Sequence, residues 1–416
     1  MKFTTTKRTG AVKTFSGAVL EGYPSDGGLF VPAGSVDLRA AVYSPEMSFA
    51  ETVLTAIMTL LAEEFDPVEA EKLVKKIFPV KPKFVKTDNI LVFDMSTGKS
   101  GSIYDYGAAL LSAVVDLRKG TLSERHVPFL AVYPDRDSPD SRAIKALLAI
   151  RESLPGDIIL LRSIDPPTPE HVRELTETSR DGIISDLPGG SLHEISRKVH
   201  VINLPSKAEG LASLVRQTAS AYPGSFIPVS ENNPAFFMAS LILETALFSE
   251  ERAGFSGELY TAHASSDPST LAVGIWAWGL GLPITGFVLG ASPGTALNYS
   301  LDPVVADFNV IKPGIISSLA FYEEVAEQES EPDDDQEIRN PPELGEIAEK
   351  VATAAARQAM RLGEISSSPD MTRIIVQRSF DSEKTGGFDT ADFSDSIDSC
   401  TASPDGIMHL LSIIQR

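Results

Sequence analysis

Cysteine is nearly absent. Cys400 is the only one in 416 residues, so no internal disulfide and no thiolate metal cluster can form, and a reducing, cytoplasmic compartment is expected. Cys400 itself reads as a stray thiol near the C-terminus. Basic residues are also in short supply: Lys and Arg number 36 against 57 Asp and Glu, a formal net charge of −21. No basic patch appears, which argues against nucleic acid or an anionic membrane as a partner, because phosphate is bound by concentrated Lys and Arg. Behind its basic residues the Met1–Gly10 stretch lacks the apolar core of a secretory signal. The six histidines, His126, His171, His193, His200, His263 and His409, show no close spacing that suits a metal. There is no nucleophile elbow, no P-loop string and no internal repeat.

Long apolar runs are scarce too, with one exception. Pro268 to Ser300 carries no charge, and Leu271 to Gly290 has the length of a bilayer-crossing helix. The Gly281-Leu282-Pro283 break and the lack of flanking basic residues point instead to a buried helix, Leu271 to Leu280, and a buried strand, Ile284 to Leu289.

What is present is 43% hydrophobic residues over a length that suits two or more domains. Ser48–Glu64 and Val68–Ile77 read as amphipathic helices. Strands are expected at Ile90–Phe93, Pro128–Tyr133, Asp157–Arg162, Lys198–Leu204 and Glu258–Ala262. Helices are expected at Asp105–Leu117, Arg142–Leu154, Pro169–Thr178 and Pro234–Phe248. Such alternation means an α/β fold, parallel sheet with crossover helices. Glu323 to Asn340 is dense in acid and reads as a solvated, flexible insertion, ended by Pro341-Pro342. Beyond it come a helix at Glu343–Leu362, a strand at Arg373–Gln377 and a final helix near Pro404–Gln415.

Thr14 to Pro32 reads TFSGAVLEGYPSDGGLFVP. Asp26-Gly27-Gly28 is a tight turn that needs positive φ, followed by a short apolar strand ended by Pro32. The whole string resembles the N-terminal signature of threonine synthases, with Ser25 in place of the family's proline. The resemblance runs from Met1 to about Glu323 and implies the fold type II architecture of pyridoxal phosphate (PLP) enzymes: a small N-terminal α/β domain (residues 1–85), the α/β core (86–322), the acidic insertion (323–341) and a C-terminal α/β segment completing the core (342–416).

The residues that should carry the family's chemistry are replaced. The family's Schiff-base lysine lies in a string F-H-G-P-T-L-A-F-K-D. Here the matching stretch is Phe93 to Asp105: Phe93, Thr97 and Asp105 hold the frame, Ser96 stands for the proline, about three residues are inserted, and Tyr104 takes the lysine's place. A phenol cannot form an imine. Lys99, on the inserted loop, is the only nearby amine. The family's T-S-G-D-T-G turn corresponds to Val132–Asp140, which has no glycine, two prolines and the three aspartates Asp135, Asp137 and Asp140; clustered carboxylates can hold a divalent ion, and a solvated loop is the plainer reading. The intact Gly281-Leu282-Pro283-Ile284 places Ala264, Ser265, Ser266, Asp267, Pro268 and Ser269 where the family's P-S-G-N-F-G cradles phosphate; both glycines are gone, and Asp267 would repel a dianion. Ser230-Glu231-Asn232-Asn233-Pro234 resembles the family's S-x-N-S-x-N stretch at the start of a long helix, and reads equally as an Asn cap with Pro in the first turn.

The resemblance therefore implies a degenerate, non-catalytic homologue with no cofactor expected. Vestigial cofactor positions would be Ser265, Ser266, Asp267 and Ser269, a substrate pocket would be lined by Ser96, Thr97, Asp105, Asn232 and Asn233, and no metal is expected. The cleft is expected to take a small amino-acid-like ligand or a protein partner of unknown identity. The alternatives are an active threonine synthase, converting O-phosphohomoserine to threonine with PLP on Lys99, and a different small-molecule enzyme in the same cleft.

Overall fold

The computed structural model describes residues 1–7, 12–34, 36–43, 46–78, 81–118, 127–133, 139–163, 199–204, 208–264, 268–290, 315–318, 344–363, 365–378, 404–405 and 407–408. The expected helix at Pro169–Thr178, the acidic insertion and most of the final helix lie outside these residues. The chain divides into two compact units. One comprises Met1–Lys2, Val31–Leu110 and Ala235–Gly386; the other comprises Phe3–Phe30, Leu111–Pro234 and Gly387–Arg416.

The N-terminal residues form a three-stranded sheet of order β2-β1-β3, with β1 at Lys2–Thr5, β2 at Lys13–Thr14 and β3 at Phe30–Ala33. Between β2 and β3 lies helix α1 (Phe15–Glu21), capped by Thr14 Oγ1 accepting from the Gly17 N–H at 3.1 Å. Gly27 has φ 73°, the conformation expected of the DGG turn. The turn is tied down by Asp26, whose Oδ1 accepts from the Gly28 N–H at 2.9 Å and whose Oδ2 accepts from Thr5 Oγ1. The strand after it does not stop at Pro32, as expected, but continues to Ala33. β3 is an edge strand, where a missing N–H breaks no ladder.

A short helix, α2 (Arg39–Val42), leads to the two amphipathic helices read from the sequence. They are α3 (Phe49–Leu61) and α4 (Pro67–Ile77), each opened by a capping box, Ser48 with Glu51 and Asp66 with Glu69. The large sheet holds six strands in the order β12-β11-β10-β13-β5-β4: Ile315–Ser318, Gly286–Gly290, Glu258–Ala264, Thr372–Arg378, Ile90–Asp94 and Lys83–Thr87. All pairs are parallel except β4 with β5, a hairpin that the sequence reading missed because β4 is an exposed edge strand. Helix α10 (Leu344–Arg361) covers one face. Its Ala352, Ala355, Ala356 and Ala359 recur at helical spacing and are buried with Ile90, Ala262, Val288, Ile374 and Val376 of the sheet. The opposite face meets α8 (Pro234–Ala253), where Phe248 lies edge-on to Phe93 of β5, and α9 (Pro268–Gly279). Helix α9 ends as GLPI suggested: the N–H groups of Gly281 and Leu282 bond back to Trp278 and Ala277, and β11 follows.

The other unit holds a parallel sheet of order β8-β7-β6-β9, at Val199–Leu204, Ile158–Ser163, Phe129–Val132 and Ile227–Pro228. Its core joins Leu130, Ile159, Leu161, Ile202 and Leu204 to Leu211, Leu214 and Val215 of α7 (Ala208–Ala221), a helix that the sequence reading did not assign. The helix expected at Arg142–Leu154 starts earlier, as α6 (Pro139–Ala149), because Pro139 suits a first turn; a separate 3-10 turn covers Arg151–Ser153. No helix among the described residues is long and apolar enough to cross a membrane.

Candidate functional site

The stretch singled out by the sequence, Phe93 to Asp105, runs from the carboxyl end of β5 into helix α5 (Tyr104–Arg118). In open parallel sheets this strand-to-helix turn is where ligands gather. The Met95 N–H bonds to the Arg378 carbonyl at 3.0 Å and extends the pairing with β13 by one residue. Ser96 is fully buried, with its N–H and Oγ both donating to Asp94 Oδ1, at 3.1 and 2.5 Å. Asp105, in the first turn of α5, reaches back over the loop: its carboxylate accepts the Ser100 N–H at 3.0 and 3.1 Å and the Ser102 N–H at 3.4 Å. A Cβ at Gly98 would collide with that carboxyl, so the inserted loop can fold down onto Asp105 only through glycine. Burial raises the Asp105 pKa, against the opposing pull of the Ser100 and Ser102 donors.

This arrangement settles where the two candidate residues go. Tyr104 is buried, with its ring edge-on to Phe236 of α8 at 5.7 Å. Lys99, held between Gly98 and Ser100, is exposed. Thr97 Oγ1 shares a 2.7 Å hydrogen bond with the Tyr106 hydroxyl, whose ring stacks on Phe78 at 5.5 Å; burial raises the Tyr106 pKa. Ser96, Thr97, Lys99, Tyr104 and Asp105 thus form one folded loop and helix start within the first unit.

The other expected site residues are placed separately. Asn232 is half-buried. Asn233 is buried, and its Nδ2 donates to the carbonyls of Val19 at 3.0 Å and Pro228 at 3.3 Å, which anchors the turn before α8 to α1. Ser265, Ser266 and Asp267 lie outside the described residues, as do Asp135 and Asp137; of Ser269 and Asp140 only the helical backbone is described. Among the described residues no group of three His, Cys, Asp or Glu side chains could hold a metal.

One polar group escaped the sequence reading. On the α8 and α9 face of the six-stranded sheet, near the carboxyl ends of β13 and β10, Gln377 Nε2 donates to Glu244 Oε1 at 2.5 Å. His263 Nδ1 and Nε2 lie 3.2 and 3.0 Å from the hydroxyls of Thr270 and Thr261. All five side chains are buried. Burial pushes the His263 pKa down to about 3, so it is a neutral imidazole.

Residues 2–78 match the family model described as the threonine synthase N terminus. The threonine synthase structure from Escherichia coli superposes with a TM-score of 0.65 at 14% identity, covering 99% of this chain and 100% of that one. Residues 2–78 thus carry the threonine synthase N-terminal family pattern, and the chain has the threonine synthase fold. The match to the family model carries its N-terminal domain, and the solved structures carry its fold. The yeast threonine synthase gives a TM-score of 0.64 at 12% identity over 99% of this chain and 98% of that one. The PLP-bound threonine synthase from Brucella melitensis gives 0.62 at 13% over the whole of both. No curated protein sequence matches the chain.

An internal PLP aldimine needs a lysine amine that is desolvated and aimed into the site. Among the described side chains no lysine is buried, and the aromatic ring at the start of α5 fills the space next to Phe236. The described residues thus supply no buried amine for such an aldimine.

Proposed function

We propose that this protein is a non-catalytic threonine synthase relative, one that keeps the fold and does not form the PLP aldimine. The observation that carries the reading is Tyr104: the residue aligned with the family's lysine is a buried phenol packed against Phe236. Lys99, the nearest amine in sequence, is exposed on a loop whose backbone is tied to Asp105, away from the buried position an internal aldimine needs. Any small amino-acid-like ligand is then bound by polar contacts alone.

The test is the visible spectrum of the purified protein mixed with PLP, before and after borohydride, with mass spectrometry for a pyridoxyl-lysine. The expected result is no aldimine band and no specific adduct, unchanged by Lys99→Ala. A band with an adduct on Lys99, lost in Lys99→Ala, would restore the active enzyme.

A further inference from the structure

Glu244, in the middle of α8, has no solvent exposure. Its Oε1 accepts from Gln377, yet among the described residues its Oε2 has no hydrogen-bond partner, and neither has Gln377 Oε1. An ionised carboxylate can only accept, and so can an amide oxygen, so with Glu244 charged both atoms stay unmet in a dry interior. One proton removes the conflict. A protonated carboxyl donates through Oε2 to Gln377 Oε1 while Gln377 Nε2 donates to Oε1, and the two unmet atoms satisfy each other. We propose that Glu244 is held as the neutral acid, joined to Gln377 in a two-bond acid–amide pair, and that this pair makes the unit containing the six-stranded sheet lose stability as pH rises from the acid range through neutrality.

Burial raises the Glu244 pKa from 4.5 to about 8, and the Gln377 bond only partly opposes it; no charge contributes. The surrounding elements agree. On α8 the other charges are Glu250, Glu251 and Arg252, near its end. On β13, Arg373 pairs with Glu251 and Arg378 with Glu349. On β10 the groups are the exposed Glu258, Tyr260 and the neutral His263. On β5, Asp94 is bound by Ser96. α5 carries Tyr104, Asp105 and Tyr106 at its start and Asp116 and Arg118 at its end, and α9 and β11 carry no titratable group. The sign follows. Below about 4.5 the acid is protonated folded or unfolded and the pair contributes fully. From there to about 8 only the unfolded chain ionises, so the folding equilibrium constant falls by up to tenfold per pH unit, then levels off.

The test is infrared spectroscopy of the full-length protein in D2O at neutral pH, with and without biosynthetic 13C-glutamate, set beside Glu244→Gln. The pair predicts a protonated-carboxyl stretch that shifts with the glutamate label, which separates it from Asp105, and that vanishes in Glu244→Gln. It also predicts that this variant, whose amide can rebuild the two-bond ring with Gln377, loses the corresponding alkaline fall in urea midpoint. The labelled wild-type spectrum needs no variant, so the proposal stays decidable if Glu244→Gln fails to fold. No label-shifted acid band, or a pH profile for Glu244→Gln that overlays the wild type, overturns it.

Discussion

On one face of the six-stranded sheet, α10 lays Ala352, Ala355, Ala356 and Ala359 against Ile374, Val376, Ala262 and Val288. On the other, the same two central strands present Gln377 and His263, and α8 and α9 answer with Glu244 and Thr270. Successive strand residues point to opposite faces, so one strand serves both layers. These alanine and aliphatic side chains carry no polar atom and are held by close packing. The polar layer depends on matching every donor with an acceptor and tolerates no charge. The two should therefore fail differently.

The largest effect is expected on the apolar face. Ile374→Ala removes a fully buried side chain from the central strand and should cost about 2–5 kcal/mol in urea unfolding, with no change in the shape of the pH profile. Gln377→Leu, on the polar face of the same strand, leaves the buried Glu244 carboxyl without its donor and should cost about 1–3 kcal/mol. Glutamine deleted with its acid, as Glu244→Leu with Gln377→Leu, should cost less than Gln377→Leu alone.

The third prediction concerns pH. The buried neutral His263, with a pKa of about 3 against 6.5 unfolded, contributes stability above 6.5 that is lost as pH falls toward 3. Glu244 works in the opposite sense from 4.5 to about 8. Between 4.5 and 6.5 the two slopes cancel, so their joint contribution is a plateau with an acid limb due to His263 and an alkaline limb due to Glu244. Urea midpoints against pH for His263→Gln and Glu244→Gln should each flatten one limb and tilt the plateau into the slope of the group that remains. The smallest effect, roughly 1 kcal/mol, is expected for Thr270→Val, which takes one hydroxyl from His263.

Local pattern made the first layer legible. The helical spacing in α3 and α4 and the β-rich runs of β5, β6, β7 and β10 were all readable because each is decided within a few residues. The antiparallel β4 was not, since Lys83, Val85 and Lys86 are exposed and show no buried face. Glu244 was hidden inside the apolar run Ser240–Phe248, where a single acid looks like an ordinary helix residue. What makes it special is a glutamine 133 residues away. The candidate loop shows the same limit. A tyrosine in the lysine's aligned place is reason enough to doubt the amine, but that Gly98 lets the loop lie down on Asp105, and that Asn233 is spent on backbone carbonyls, are facts of contact.

The place of β13 bears on how the molecule is made. Ile374 pairs with Ile90 on one side and with Tyr260 on the other, so a nascent chain that has passed residue 300 has produced both neighbouring strands and still lacks the one that joins them. Until residues 372–378 leave the ribosome, β5 and β10 each keep an unpaired parallel edge open to other chains, and nothing local can close it. Chains interrupted before that strand should accumulate as chaperone clients or aggregates, and the synthesis of residues 372–378 is what joins the two halves of the sheet.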